Sequence, residues 1–178
     1  MNEKAAIYIF DTNIFLSGID FNLIEGIIYT TNSIIEEVNL RKFKEKNRNI
    51  LNKINAAIET KKLKIEVPKE RFIDRVKKVS KLTGDYNALS DADKELLAIS
   101  LELFEKRGED MILYSNDYSI ENVCSELHIP FSSLFKKGIE SKIIWEIYCP
   151  YCKKLYRAED LNKTCEICGK KLKRRPKK

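Results

Sequence analysis

Three short apolar runs do most to constrain the fold of this chain: AIYIF at 6–10, IIYT at 27–30 and MILYS at 111–115. None alternates apolar with polar residues, as a strand with one wet face would. Continuous runs of this length suit strands covered on both faces, the situation inside a parallel sheet. Parallel strands need crossovers, and the intervening sequence reads as helices. A short one is predicted from about Ile14. Ser33 and Glu36 have capping-box spacing and predict a second helix start, with helical spacing continuing through 40–60 and a break near 47–49. Further helices are predicted over 69–81, from Ser90 to Gly108, and after Asp117 to about Leu127. Residues 64–67, stopped by Pro68, and 129–131 read as additional short strands. The predicted class is α/β, a largely parallel sheet flanked by helices.

The 178 residues suffice for one ordinary domain plus a small appendage. Their 43% hydrophobic content argues against a disordered chain. No apolar stretch is long enough to cross a bilayer. The opening MNEKAAIYIFD reaches Asp11 too soon for a signal peptide, so a cytoplasmic protein with no membrane partner is expected. The net charge of +6 is unevenly spread. Residues 141–178 hold 12 Lys+Arg against 4 Asp+Glu, and 40–64 hold 9 against 2, which leaves the rest of the chain at −9. An acidic body with two basic appendages predicts a polyanionic partner, although a charge run also serves as a solvated face.

Four acids stand out by position. Asp11 closes the first strand and Asp117 follows the fourth, while Glu37 and Asp93 lie in the first turns of helices. Ligands of open α/β sheets collect beyond the carboxyl ends of the strands, and this fold would gather the four there. Mutually repelling acids are costly unless a cation neutralises them, and hard cations such as Mg²⁺ or Mn²⁺ take oxygen ligands. A site of that kind activates water and stabilises charge on a phosphate. Local roles compete: Asp93 fits the capping box of Ser90, Asp117 an N-cap, and Asp11 an Asx-turn. Glu36 and Asp91 compete with Glu37 and Asp93, although Glu36 already fits a capping role with Ser33.

The segments IFDTNIFLSG, SIIEEV, LSDADKELLAIS and YSNDYSIENV occur in the order and approximate spacing of the motifs of PIN-domain ribonucleases, which the chain resembles. The resemblance implies a metal-dependent endoribonuclease in which Asp11, Glu37, Asp93 and Asp117 hold the catalytic Mg²⁺ or Mn²⁺, with Ser115 at the hydroxyl position of the last motif. Asn116 departs from the pattern, since many relatives carry another acid there.

Five cysteines complete the picture. Cys149 and Cys152 (CPYC) and Cys165 and Cys168 (CEIC) form two knuckles that suit tetrahedral Zn²⁺. With four thiolates from protein, that zinc is expected to be structural. Redox cysteines are the alternative. Residues 143–148 and 154–156 read as ribbon strands, and the tail KKLKRRPKK as disordered. Cys124 reads as a buried hydrophobe, and the lone His128 argues against histidine-based catalysis.

A PIN domain followed directly by a zinc ribbon resembles the Nob family of ribosome-maturation endonucleases, particularly its compact archaeal form. That likeness implies cleavage of precursor small-subunit rRNA near its 3′ end and association with the pre-small-subunit ribosomal particle. The expected organisation is a PIN-like nuclease domain at 1–138, a rubredoxin-like zinc ribbon at 143–170 and a basic tail at 171–178. The expected RNA contacts are Arg41, Lys42, Lys44, Lys46 and Arg48 on the body, with Lys153, Lys154, Arg157, Lys170 and Lys171 on the ribbon. Tyr148, Tyr151 and Tyr156 either stack on bases or pack the ribbon. A non-catalytic RNA-binding assembly factor and a toxin-type PIN ribonuclease are the alternatives.

Overall fold

The structure is a computed structural model that describes residues 5–40, 44–134, 138 and 142–177. Strands β1 (Ile7–Phe10), β2 (Ile27–Thr30), β3 (Leu63–Ile65), β4 (Met111–Tyr114) and β5 (Phe131–Ser132) form one sheet in the order β3-β2-β1-β4-β5, with every neighbouring pair parallel. The predicted apolar runs are therefore its central strands, and Ile7, Ile9, Ile28, Met111 and Leu113 are buried. β1 lies between β2 and β4, so the chain reverses its direction of strand addition beside β1. The C-terminal ends of β1 and β4 open side by side at this switch point.

Six helices cover the sheet among the described residues: α1 (Thr12–Leu16), α2 (Asn32–Val38), α3 (Lys44–Glu59), α4 (Glu70–Thr83), α5 (Asp91–Arg107) and α6 (Tyr118–Leu127). Helix α5 buries Leu96, Leu97, Ala98, Ile99 and Leu101 on nearly all sides. The middle of the helix, residues 96–102, is buried on every side, and α5 packs among α4, α6 and the sheet.

Two local expectations differ from what forms. The capping box of Ser33 and Glu36 is absent. Thr31 is the N-cap of α2, its hydroxyl accepting from the Ile34 N–H at 3.4 Å, and Ser33 instead donates to Glu95 of α5. Thr31 follows the buried strand β2 directly, so the chain turns into helix two residues earlier than the box implies. The break near 47–49 is also absent. Helix α3 is continuous, because burial of Ile54 and Ala57 against the core outweighs the weak helix propensity of its asparagines. The preceding helix instead ends at Asn39.

The C-terminal segment makes a second, antiparallel sheet of β6 (Trp145–Tyr148), β7 (Leu155–Tyr156) and β8 (Lys173–Pro176) in the order β7-β6-β8. Its core is small: Ile147, Cys149, Cys165 and Leu172. Strand β8 corrects the expectation of a disordered basic tail from 171. Lys173–Pro176 pairs along the whole of β6, and Leu172 just before it is buried, so these residues are drawn into the ribbon. No helix of the described residues is long and apolar enough to cross a membrane.

Candidate active site

Three of the four acids, Asp11, Asp93 and Asp117, are set by how a helix begins. Asp11 follows β1 as the N-cap of α1, with its Oδ1 accepting from the Thr12 N–H at 2.5 Å. Its backbone N–H reaches the Tyr114 carbonyl, which seats it beside the end of β4. There the Ser115 hydroxyl donates to Asp11 Oδ2 at 2.8 Å, and Ser115 Oγ in turn accepts from the Asp117 N–H at 3.0 Å. Asp117 is the N-cap of α6, its Oδ1 accepting from the Ser119 N–H at 2.7 Å. Asp93 completes the predicted capping box: its Oδ2 accepts from the Ser90 N–H at 2.7 Å while its own N–H donates to Ser90 Oγ at 3.1 Å. Glu37, expected in the first turn of its helix, lies in the last turn of α2, because the helix begins at Asn32 and is only seven residues long; it accepts from the Thr12 hydroxyl at 2.6 Å.

Asp11 and Asp93 both lie within electrostatic reach of other acids. Burial raises the Asp11 carboxyl to about 6 against the opposing Ser115 hydrogen bond, and the charges of Asp93 and Asp117 push the same way as burial. Asp93 is likewise raised, first by burial and further by Asp117 and Glu37, against its bonds from Ser90. Glu37 is half-buried and turned to the site, whereas Glu36 is exposed and accepts from Asn32 Nδ2. Asp91 is exposed and pairs with Lys94. Capping-box spacing with Ser33 predicts that Glu36 is occupied and leaves Glu37 for the site. Glu36 is occupied, but by a neighbouring side chain. The acids are spread more widely than the thiols: among the described residues, the cysteines alone form a group of three or more ligand atoms within 4.8 Å. Wider spacing suits a hydrated Mg²⁺ or Mn²⁺, which keeps several waters between itself and the protein.

Asn116, expected to support the site, follows β4 between Ser115 and Asp117. Its Oδ1 accepts from the Leu134 N–H at 3.2 Å, so the amide ties the end of β5 to the turn after β4. Thr12 is the residue that sequence reasoning missed here. It lies inside the DTN turn, where a hydroxyl beside Asp11 was the available signal.

The four ribbon thiols converge: Cys149 Sγ lies 3.4 Å from Cys168 Sγ, and Cys152 Sγ 3.5 Å from Cys165 Sγ. Tetrahedral zinc with bonds of about 2.3 Å spaces its sulfurs about 3.8 Å apart, so the donor set fits. The Tyr156 hydroxyl sits 3.0 Å from Cys165 Sγ and its hydrogen bond lowers that thiol, whereas the thiols of Cys152 and Cys168 are raised. Tyr156 is thus a packing residue of the cluster. Tyr148 carries the Arg175 guanidinium over its ring at 4.5 Å, and Tyr151 is exposed. Cys124 is fully buried in α6 and its thiol is pushed up by burial. His128 takes the left-handed C-cap of the same helix.

Of the expected RNA contacts, Arg48, Lys153, Lys154, Arg157, Lys170 and Lys171 have exposed side chains. Lys154 is paired with Glu166. Arg41 and Lys42 lie outside the described residues, and Lys44 and Lys46 are placed on α3 by backbone alone.

The chain is similar to known proteins over most of its length. Residues 8–103 match the family described as the PIN domain of ribonuclease. The chain is 34% identical over 167 residues to the Endoribonuclease Nob1 of Methanocaldococcus jannaschii, an overlap covering 94% of this chain and 76% of that one. It is 31% identical over 170 residues to the Endoribonuclease Nob1 of Pyrococcus abyssi, covering 96% and 94%. It is also 32% identical over 168 residues to the Ribonuclease VapC1 of Thermoplasma acidophilum, covering 94% and 77%. With acids at the switch point, a four-thiol ribbon and overlaps running nearly its whole length, the chain belongs to the PIN-domain ribonucleases, among the archaeal Nob1 endoribonucleases.

Proposed function

We propose that this protein cuts precursor small-subunit rRNA near its 3′ end, acting in the cytoplasm on the pre-small-subunit ribosomal particle. The observation that carries the reading is the convergence of Asp11, Glu37, Asp93 and Asp117 at one sheet edge, in a chain that also carries a basic ribbon. In this reading the four carboxylates hold one or two Mg²⁺ or Mn²⁺ ions, partly through water. When bound, such a cation supplies an activated water and neutralises charge on the scissile phosphate. Ser115 keeps Asp11 aimed by donating to its Oδ2, and Thr12 does the same for Glu37. Hydrolysis adds water across the P–O3′ bond and leaves a 5′-phosphate and a 3′-hydroxyl. Cys149, Cys152, Cys165 and Cys168 hold a structural Zn²⁺. Lys153, Lys154, Arg157, Lys170 and Lys171 of the ribbon, with Arg41, Lys42, Lys44, Lys46 and Arg48 of the body, grip the RNA backbone. The working division is a nuclease body over 1–138 and a ribbon from 143 through β8.

The test is cleavage of a small-subunit rRNA 3′-end precursor with Mn²⁺. Asp11→Asn and Asp93→Asn proteins should lose cleavage while still binding the RNA. If either cuts as fast as the unaltered protein, the assignment of the site is wrong. Similarity to the Ribonuclease VapC1 of Thermoplasma acidophilum motivates a second reading, a toxin-type ribonuclease acting on another RNA. Preferential cleavage of tRNA or mRNA over the rRNA precursor would select it. Tight RNA binding with no cleavage under any divalent metal would select an assembly factor instead.

A further inference from the structure

Asp85 lies in the turn between α4 and α5, and its side chain is fully buried. A buried carboxylate is costly unless paired and hydrogen-bonded. Two elements distant in sequence meet that need. Asn122 of α6 donates to Asp85 Oδ2 at 2.6 Å, and Arg174 of β8 donates to Asp85 Oδ1 at 2.8 Å. The Arg174 fork also reaches Ser119 Oγ in the first turn of α6, at 3.3 Å and 3.4 Å, and stacks 4.5 Å above the Trp145 ring. Around this hub the ribbon is seated on the body at several points. Asn122 clasps the backbone of Ile143 in both directions, at 2.6 Å and 2.7 Å. Asn87 donates to the carbonyls of Ala158 and Leu161, and Lys81 pairs with Glu159. Gly84, at φ +82°, lets the Trp145 backbone approach so closely that a Cβ there would lie 2.5 Å from its carbonyl oxygen.

The two body elements that Arg174 touches are the ones that begin half of the acid site. The turn holding Asp85 runs into the Ser90–Asp93 capping box. Ser119 lies two residues beyond Asp117 and its N–H is the donor that caps Asp117. On its other side, Arg174 is paired in β8 with Ile147, part of the small core that also contains Cys149 and Cys165. A continuous line of bonds therefore runs from the thiol cluster through β8 to the segments that aim Asp93 and Asp117.

We propose that Arg174 is a positioning residue for the nuclease site: by bridging Asp85 and Ser119 it holds the ribbon on the body and fixes the geometry of Asp93 and Asp117. The ribbon then contributes to cleavage itself, beyond gripping RNA. This rests on the reading of those two aspartates as cation-holding carboxylates.

Full-length Arg174→Ala, Arg174→Lys and Arg175→Ala proteins separate the possibilities. Arg175 is a control of equal charge on the same strand, whose partner Glu146 lies within the ribbon. The readouts are Mn²⁺ affinity in the absence of RNA, emission of Trp145, which is the single tryptophan, and kcat and KM for RNA cleavage. Arg174→Ala should weaken Mn²⁺ binding about tenfold, the lower end for residues that orient metal ligands, lower kcat, and shift Trp145 emission to the red. Arg174→Lys, which keeps the charge but not the fork, should fall between it and the unaltered protein. Arg175→Ala should leave Mn²⁺ affinity and Trp145 emission in place. Equal Mn²⁺ affinity and kcat in the unaltered and Arg174→Ala proteins would overturn the proposal, as would a loss confined to KM. Failure of the nuclease reading looks different: the unaltered protein would itself bind no Mn²⁺ or cut no RNA. If Arg174→Ala does not fold, the comparison of Arg174→Lys with Arg175→Ala decides by the same readouts.

Discussion

The Asp11 carboxyl is buried beside other acids, so the folded protein without a cation should be destabilised by its ionisation. In the fold the group titrates at about 6 rather than 3.8, because burial and the charges of Asp93 and Asp117 outweigh the Ser115 hydrogen bond. The fold thus prefers the protonated form. The stability from that preference is fully present below 3.8, falls as pH rises through 6, and is gone above it. Over that span the loss amounts to about 3 kcal/mol, at about 1.4 kcal/mol per tenfold change in proton affinity. Asp11→Asn removes the charge and keeps the shape. Its Oδ1 can still accept from the Thr12 N–H, and its amide can donate to Ser115 Oγ. In metal-free nuclease site and zinc-replete buffer, urea denaturation at pH 7.5 should find Asp11→Asn more stable than the unaltered protein by about 2–3 kcal/mol. The gap should close as pH falls to 4. Saturating Mn²⁺ should reverse the order, since ligand binding stabilises only the protein that binds it. An Asp11→Asn protein that is no more stable at pH 7.5, or a gap that ignores pH, would refute the claim that this site is built to be neutralised by a cation.

Three more perturbations test other joints of the structure. Stripping zinc with a chelator should unfold the β6-β7-β8 sheet, whose core is too small to stand without metal; Trp145 emission should shift to the red while the helical signal of the body persists, and unchanged emission would count against a metal-held ribbon. Thr12→Val is nearly isosteric and removes the donor to Glu37 Oε2, so Mn²⁺ should bind about tenfold more weakly, as isothermal titration would register. Gly84→Ala combines a left-handed backbone with a clash against Trp145, so the ribbon should loosen at a cost of about 1–3 kcal/mol, seen as faster amide exchange in β6.

What could be read from the sequence was whatever a short stretch encodes by itself. Apolar runs of four or five residues announced the parallel strands because burial on both faces leaves no room for polar alternation. The thiol cluster was legible because two knuckles carry their own spacing. The Ser90–Asp93 box was legible too, since both partners lie within one helical turn. The box of Ser33 and Glu36 had the same spacing and did not form: Thr31, at the end of a buried strand, capped first, and Glu95 from another helix took the Ser33 hydroxyl. Strand β8 was hidden for a related reason. Lys173, Arg174 and Arg175 look like a solvated tail until β6 offers a pairing edge and Asp85, 89 residues away, offers a buried counter-charge. Contacts of that separation leave no local trace, so a basic run and a docking strand read alike.

The same limit explains why local roles and catalytic roles for the acids looked like rivals. Asp11, Asp93 and Asp117 each do cap a helix, as their positions suggested. A carboxylate has about four acceptor positions, however, and the bonds named here use one or two of them. Capping aligns each side chain with the start of a helix and sets it near the positive end of the helix dipole, where a negative charge is least costly. Three such starts face one another because β1 and β4 are neighbours at the switch point and α5 packs across from them. The caps are therefore the means by which the fold aims mutually repelling carboxylates at a common point. The Asp11 and Asp93 carboxyls are raised first by burial and further by the neighbouring acids, and a bound cation would offset both.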